Sequence, residues 1–168
     1  MAEAPRTVAL WEGLRRQFET DGALIDIYVD ESNVSAWQTA IDWIRSTTEF
    51  VYQEDGVTTE MPASVADVFG RVDHASVSFG FAATEEVWVS SYFFSPEWFE
   101  LTLDPAEIQN EAALDVIIAL MMKLGTLLGE PVLLTLESDP EQAFLAYDPV
   151  DSTLTTPAPA EEEEKPAY

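Results

Sequence analysis

The feature that most constrains the fold is a run of large side chains, residues 86–94, in which both alternating faces are apolar. Alternation with a period of two is typical of a β-strand. One face carries Val87, Val89 and Phe93, and the other carries Trp88, Tyr92 and Phe94. A strand with two apolar faces is expected in the centre of a sheet or at an interface.

Other β-prone runs surround this one. Residues 77–81 alternate large apolar side chains with Ser and Gly, and residues 99–103 alternate with Glu100 and Thr102, which predicts a half-exposed strand. Residues 50–53 and 57–61 flank Asp55 and Gly56, a pair typical of a hairpin turn. Further strands are predicted over residues 23–29, 132–136 and 143–147.

The longest predicted helix lies in the C-terminal half. Asp104 followed by Pro105 indicates a helix start, Asn110 offers an alternative start, and Gly129 indicates the end. Shorter amphipathic patterns predict helices over residues 7–18, 34–46 (capped by Ser32 or Ser35) and 64–69 (capped by Ser64).

The order of these elements determines the fold class that we expect. Helices do not alternate regularly with strands, which disfavours a doubly wound parallel sheet. We therefore predict an α+β fold in which a mostly antiparallel sheet packs against the long helix in the C-terminal half, as a single domain over residues 1–150. Residues 151–168 are rich in Pro, Ala and Glu and are expected to form a disordered acidic tail.

The charge of the chain indicates what kind of partner it has. There are 32 Asp and Glu against seven Lys and Arg, a net charge of -25. This excess disfavours nucleic acid and anionic membranes as partners and favours basic proteins. The segment after Thr155 holds only four Glu and one Lys, so most of the charge belongs to the folded body. Adaptation to high salt is an alternative explanation, because only two lysines are present.

The cellular compartment is expected to be the cytoplasm. The chain has no Cys, which excludes a disulfide scaffold, a thiolate zinc site and a Cys nucleophile. The first residues lack the basic and apolar regions of a secretory signal. The longest apolar run, residues 116–122, is far shorter than the ~20 residues that span a bilayer.

No motif for catalysis, a metal or a cofactor stands out. His74 is the only histidine, and no nucleophile elbow, glycine-rich phosphate loop or calcium loop occurs. Four carboxylates cluster in the sequence, but ordinary solvated turns show the same pattern as a metal site would. They are Asp139, Glu141, Asp148 and Asp151. We expect neither an enzyme nor a cofactor, although a carboxylate-based hydrolase or a metal-binding protein remains an alternative.

The remaining feature is a set of six aromatic rings within residues 88–99. Such a set forms either core or a binding surface, and six rings are hard to bury under one helix. A second subunit could also cover them, which would make the protein a homodimer. The candidate partner-binding residues are the aromatic Trp88, Tyr92, Phe94 and Trp98, and the acidic Glu85, Glu86, Glu97 and Glu100.

Charge and aromatic residues together suggest a function. The sequence favours a non-catalytic acidic protein-binding domain, an immunity or inhibitor protein that neutralises a basic partner such as a toxin. The chain resembles small bacterial immunity proteins in size, charge and class, and no residue roles follow from that resemblance. A dedicated chaperone or an assembly scaffold is the alternative, with a basic client in place of the toxin.

Overall fold

The computed structural model describes residues 4–157, with side chains from residue 8 onwards. In chain order the helices are α1 (Ala4–Leu14), α2 (Val34–Thr47), α3 (Val65–Arg71) and α4 (Glu111–Leu128), with 3₁₀ turns at Arg15–Phe18 and Pro105–Glu107. The strands are β1 (Ile25–Val29), β2 (Phe50–Glu54), β3 (Val57–Thr58), β4 (Val77–Ala82), β5 (Trp88–Ser91), β6 (Phe99–Leu103), β7 (Val132–Leu136), β8 (Asp139–Asp148) and β9 (Thr153–Thr155).

The strands form one antiparallel sheet, which confirms the α+β fold class. Their order is β3-β2-β4-β5-β6-β1-β7-β8-β9, and each neighbouring pair is antiparallel. At the centre, Ile27 lies opposite Leu101 of β6 and Leu134 of β7. This row of fully buried side chains forms the middle of the core.

The sheet has two unlike faces. The four helices and the buried strand residues share one hydrophobic cluster, and we call the face that they enclose the covered face. Side chains at the alternate strand positions point away from this cluster, and several of them, such as Val51 and Trp88, remain exposed. We call the opposite side the uncovered face.

Helix α4 begins at the later of its two predicted starts, after Asn110 and not after Asp104. It begins at Glu111, where Asn110 Oδ1 accepts a hydrogen bond from the Ala113 N–H at 2.9 Å. The predicted start at Asp104 caps only the 3₁₀ turn, because Ile108 leaves the helical conformation with φ -114° and ψ 77°. Gly129 ends α4 with φ 68°, as its sequence position predicts.

The predicted cap of α2 is wrong, and the predicted cap of α3 is right in position but makes no side-chain hydrogen bond. Neither Ser32 nor Ser35 caps α2, because Asn33 Oδ1 accepts the Ala36 N–H at 2.8 Å. Ser64 stands at the start of α3 without a capping hydrogen bond, and Gln38 Oε1 accepts the Val65 N–H at 2.7 Å. A side chain from α2 thus replaces the local cap, which also ties the two helices together.

The strands follow the predicted runs with several differences, among them a shorter β3 (Val57–Thr58) and a longer β8 (Asp139–Asp148). The hairpin of β2 and β3 turns through Asp55 and Gly56, both at positive φ, as the Asp-Gly pair predicts. Strand β5 is shorter than residues 86–94, because the chain leaves the sheet near Phe93, whose φ is 53°. The prediction that β6 is half exposed is wrong for Thr102, which is buried. The sheet also continues beyond residue 150.

The last strand lies inside the stretch that was expected to be a tail. β9 pairs with β8 from Thr153 to Thr155, and Leu154 packs against the core. Residues 158–168, the rest of the expected tail, lie outside the described residues. Within residues 4–157, no helix combines the length and apolar character needed to cross a bilayer.

Candidate partner-binding site

The aromatic residues singled out from the sequence separate between the two faces. Phe93 and Phe99 belong to the core. Trp88, Tyr92 and Phe94 keep 41%, 41% and 64% of their surface exposed. Because isolated exposed aromatic residues are common but exposed groups of them are not, the uncovered face is the candidate interface.

The segment between β5 and β6, residues 92–98, is anchored to the core and not merely a surface loop. We call it the β5–β6 loop. The Phe93 ring stacks on Trp37 with centroids 5.1 Å apart. The Trp37 indole Nε1–H donates to the Trp98 carbonyl at 3.1 Å. Phe93 adopts a positive φ that bulky residues rarely take, and the surrounding rings hold it there. The loop therefore presents Tyr92 and Phe94 outward from a fixed base.

The four acidic candidates do not form one site. Glu100 lies on the uncovered face, two positions after Trp98, so the two side chains point to the same side of the sheet. Glu97 is exposed on the β5–β6 loop. Glu85 and Glu86 lie in the turn before β5, where they line a shallow depression with residues of α4. The structure therefore brings Phe94, Trp98 and Glu100 together and leaves Glu85 and Glu86 at the other end of β5.

A cavity of about 430 Å³ opens on the uncovered face between the β5–β6 loop and the turn that joins β7 to β8. We call it the acidic pocket. It is lined by Asp26, Tyr28, Phe94, Trp98, Glu100, Thr135, Ser138, Asp139 and Pro140. Its size falls within the roughly 300–1,000 Å³ of small-ligand sites. Sequence reasoning identified only Phe94, Trp98 and Glu100 as site residues, although Asp26 and Tyr28 interrupt an apolar strand.

Asp26 forms the floor of the acidic pocket and holds its walls together. The side chain is only 2% exposed. Its Oδ1 accepts the Thr102 hydroxyl at 3.0 Å and its Oδ2 accepts the Ser138 N–H at 2.8 Å. Burial raises the pKa of Asp26, and these two hydrogen bonds offset part of that rise. The carboxylate therefore joins β1, β6 and the β7–β8 turn.

Glu100 is a second carboxylate that lines this pocket, and it is only partly buried. Burial, followed by the charge of Asp26, raises the pKa of Glu100 to about 7, and the Trp98 indole partly opposes the rise. Within residues 8–157 the ion pairs are Arg15–Glu12 and Arg71–Glu54, neither of which includes a pocket residue. The nine strands found within residues 4–157 contain no Lys, Arg or His. The pocket thus lacks a counterion from the strands.

The pocket does not suit metal chemistry. Among the described residues, no three or more His, Cys, Asp or Glu side chains come close enough to hold a metal ion. His74 is exposed in the segment after α3 and does not line the pocket. What the pocket does offer is a carboxylate beside aromatic rings, an arrangement that suits an organic cation.

A second groove, of about 460 Å³, lies between α2, α4 and β4. Its lining is mainly apolar and includes no carboxylate. Lys123 lies 5.7 Å from the centroid of the Trp43 ring, so a positive charge occupies its rim. This groove therefore does not share the chemistry of the acidic pocket.

Comparison with protein-family models, with curated proteins and with solved structures finds no match for this chain. Function is therefore inferred from the geometry of the uncovered face.

Proposed function

We propose that this protein is a non-catalytic acidic binding domain, of the inhibitor or immunity type, that binds a basic protein through the uncovered face of its sheet. The observation that supports this most is the arrangement on that face. Two exposed aromatic side chains, Tyr92 and Phe94, lie at a pocket lined by carboxylates, and none of the strands found within residues 4–157 carries a positive charge.

The two kinds of residue contribute different parts of binding. Tyr92 and Phe94, with ring centroids 5.8 Å apart, supply the large, rigid contacts that dominate interface energies. The net charge of -25 attracts a basic protein over distance and speeds the encounter. The same charge repels a second copy of this chain. We therefore favour a basic partner over a homodimer.

The first test compares capture by the protein with capture by a variant of the uncovered face. The double variant Tyr92→Ser and Phe94→Ser should lose a basic protein that the unmodified protein retains from its native lysate at low salt. Met122→Ser is the matched control, because Met122 is 42% exposed on α4 and lies away from the face. Equal retention by all three proteins would show that the uncovered face is not the interface.

A second measurement tests the electrostatic part with the purified partner. The association rate should fall steeply as salt rises from 50 to 300 mM, because surface charges are screened. An unchanged rate would remove electrostatic steering from the proposal. Loss of the partner's own activity on binding would favour an inhibitor or immunity protein. Release of a folded client would favour a chaperone, and a stable ternary assembly would favour a scaffold. A bacterial source and a cytoplasmic location stay predictions.

One observation favours a second candidate, a carboxylate-based hydrolase. Glu100 has a pKa of about 7 and faces another carboxylate, which is what a general acid requires. However, the Asp26 side chain is only 2% exposed and already accepts hydrogen bonds from Thr102 and Ser138, so a water or a substrate has little access to this second carboxylate. The geometry of the pocket therefore suits binding better than hydrolysis. Hydrolysis of a model glycoside that is lost in Glu100→Gln would favour the enzyme instead.

A further inference from the structure

The acidic pocket differs from the rest of the uncovered face because it is concave and aromatic as well as acidic. Tyr28, Phe94 and Trp98 supply three rings to its lining. Glu100 pairs with Tyr28 across the β1–β6 register, so its carboxylate and the rings share one small space. Because no strand carries a Lys or Arg, the positive charge that this space favours must come from outside the sheet.

We propose that the acidic pocket receives the guanidinium group of an arginine side chain from the basic partner. This inference rests on the protein-binding function proposed above and assigns it a specific contact point. The arginine would be one anchor of the interface, and the exposed rings of Tyr92 and Phe94 would surround it.

The chemistry of the lining favours arginine over lysine. A guanidinium is flat, stacks on aromatic faces and presents a fork of N–H donors to a carboxylate. A lysine ammonium is more strongly hydrated than a guanidinium, so it loses more hydration free energy when it enters a pocket with three rings. The attraction between a cation and an aromatic ring grows as water is excluded from the contact, which a concave pocket favours.

Glu100 is the residue that would contact the guanidinium, whereas Asp26 is a positioning residue. The Asp26 oxygens accept hydrogen bonds from Thr102 and Ser138. These contacts fix the β7–β8 turn, which leads into Asp139 and Pro140 of β8 in the pocket lining. Asp26 still contributes its negative charge, because it is close enough to raise the pKa of Glu100.

The contact should depend on pH. The pKa of Glu100 is raised to about 7, so this carboxyl holds its proton over much of the acidic range. The ionisable groups that face it are Asp26 and Tyr28 on β1 and Asp139 on β8, and Glu137 in the β7–β8 turn acts on Asp26. None of them is cationic. Because a guanidinium binds the ionised carboxylate, affinity should rise as pH increases from 6 to 8.

The experiment uses the full chain and two small probes that differ in one group. N-acetyl-arginine methylamide carries the guanidinium, and N-acetyl-citrulline methylamide is its uncharged analogue. Binding is followed through the Trp98 indole N–H resonance, assigned with Trp98→Phe. We expect the arginine probe to bind at least tenfold more tightly than the citrulline probe at pH 8 and low salt. Glu100→Gln should remove that difference and the pH dependence.

The matched control is Glu86→Gln, which removes the same charge from an exposed residue in the turn before β5. This variant should bind the arginine probe as the unmodified protein does. Equal binding of the two probes, or equal weakening by Glu86→Gln and Glu100→Gln, would overturn the proposal. Tighter binding of N-acetyl-lysine methylamide would overturn the assignment to arginine. A melting temperature of Glu100→Gln no lower than that of the unmodified protein at pH 8 shows that the variant is folded.

The two proposals fail in different ways. If the arginine probe does not bind but the Tyr92 and Phe94 variant still loses a basic partner, the pocket assignment is wrong and the binding face stands. If the probe binds and charge reversal of the partner's arginines leaves the complex unchanged, the pocket recognises a cation but is not part of the protein interface.

Discussion

The two faces of the sheet are built from the same strands and have opposite chemistry. Strand β1 places Ile25, Ile27 and Val29 on the covered face, all nearly fully buried, and places Asp26 and Tyr28 on the uncovered face. Because successive side chains of a strand point to opposite sides, one backbone supports both patterns. The comparison indicates that stability resides mainly on the covered face, which leaves the uncovered face for the recognition proposed above.

The uncovered face is itself divided into two regions. Around β4 and β5 it is open, and the Trp88 ring lies across Gly80, where a Cβ atom would overlap it. Around β1 and β6, the β5–β6 loop and the β7–β8 turn rise above the sheet, and Asp26 and Thr102 are buried beneath them. The raised segments convert part of a flat face into a pocket.

The largest expected difference between the faces is in packing energy. Leu101→Ala removes a fully buried side chain and should lower the free energy of unfolding by about 2–5 kcal/mol. Tyr92→Ala changes a side chain that is well exposed and should cost less than about 1 kcal/mol. Urea denaturation followed by far-UV circular dichroism measures both. Equal losses would mean that the uncovered face contributes to stability as the core does.

Asp26 should be an exception to this difference in stability, because it lies on the uncovered face and yet is buried. Asp26→Ala leaves the Thr102 hydroxyl and the Ser138 N–H without their acceptor. We expect the free energy of unfolding to fall by about 1–3 kcal/mol, since losing a costly buried charge offsets part of the penalty. Asp115→Ala, an exposed substitution on α4, is the control and should stay within about 0.5 kcal/mol. If Asp26→Ala left the free energy of unfolding unchanged, the β7–β8 turn would not need this carboxylate.

Two glycines allow a direct comparison of how firmly each face holds its rings. A Cβ atom at Gly125 would lie 2.7 Å from the ring of Tyr147, which is buried on the covered side. Overpacking of this kind costs about 1–3 kcal/mol, and alanine's higher helix propensity returns about 1 kcal/mol. At Gly80 the obstacle is the ring of Trp88, which is 41% exposed and therefore has solvent into which it can move.

We therefore expect Gly125→Ala to lower the melting temperature by several degrees and Gly80→Ala to change it little. Gly80→Ala should instead shift the tryptophan fluorescence as Trp88 moves towards water. If Gly80→Ala were the more damaging change, the Trp88 ring would be fixed in place, and the uncovered face would be more rigid than its exposure indicates.

The sequence predicted the elements well, because periodicity is a local property. The period-two run over residues 86–94 assigned Val87, Val89 and Phe93 to one face and Trp88, Tyr92 and Phe94 to the other, and the burial of these residues follows that division. Local pattern did not distinguish Asn33 from the neighbouring serines as the cap of α2, since these residue types cap almost equally well.

The pocket was out of reach of sequence reasoning because its contacts are distant in the chain. Asp26 bonds to residues 76 and 112 positions away. No periodicity reports such pairings, which depend on strand order. The available signal was an Asp inside an otherwise apolar strand, because buried carboxylates are rare without hydrogen-bond partners. Thr102, expected to be exposed, is buried for the same reason: it lies beneath a segment that the local pattern did not place there.

A further expected difference concerns the pH dependence of stability and the charge on Glu100. The pKa of Glu100 is raised from an ordinary value of 4.5 to about 7, so the folded protein retains this proton where the unfolded chain has lost it. The stabilising effect of that proton is complete below pH 4.5 and is lost as pH rises towards 7.

Glu100→Gln cannot ionise, so at pH 8 it should be more stable than the unmodified protein by about 1–2 kcal/mol, a value reduced for partial exposure. At pH 4 the two proteins should unfold at nearly the same urea concentration. If instead their stability curves stay parallel from pH 4 to 8, Glu100 titrates as an ordinary surface carboxylate. The uncovered face would then have no carboxylate that gains by binding a cation, and its contrast with the covered face would reduce to exposure alone.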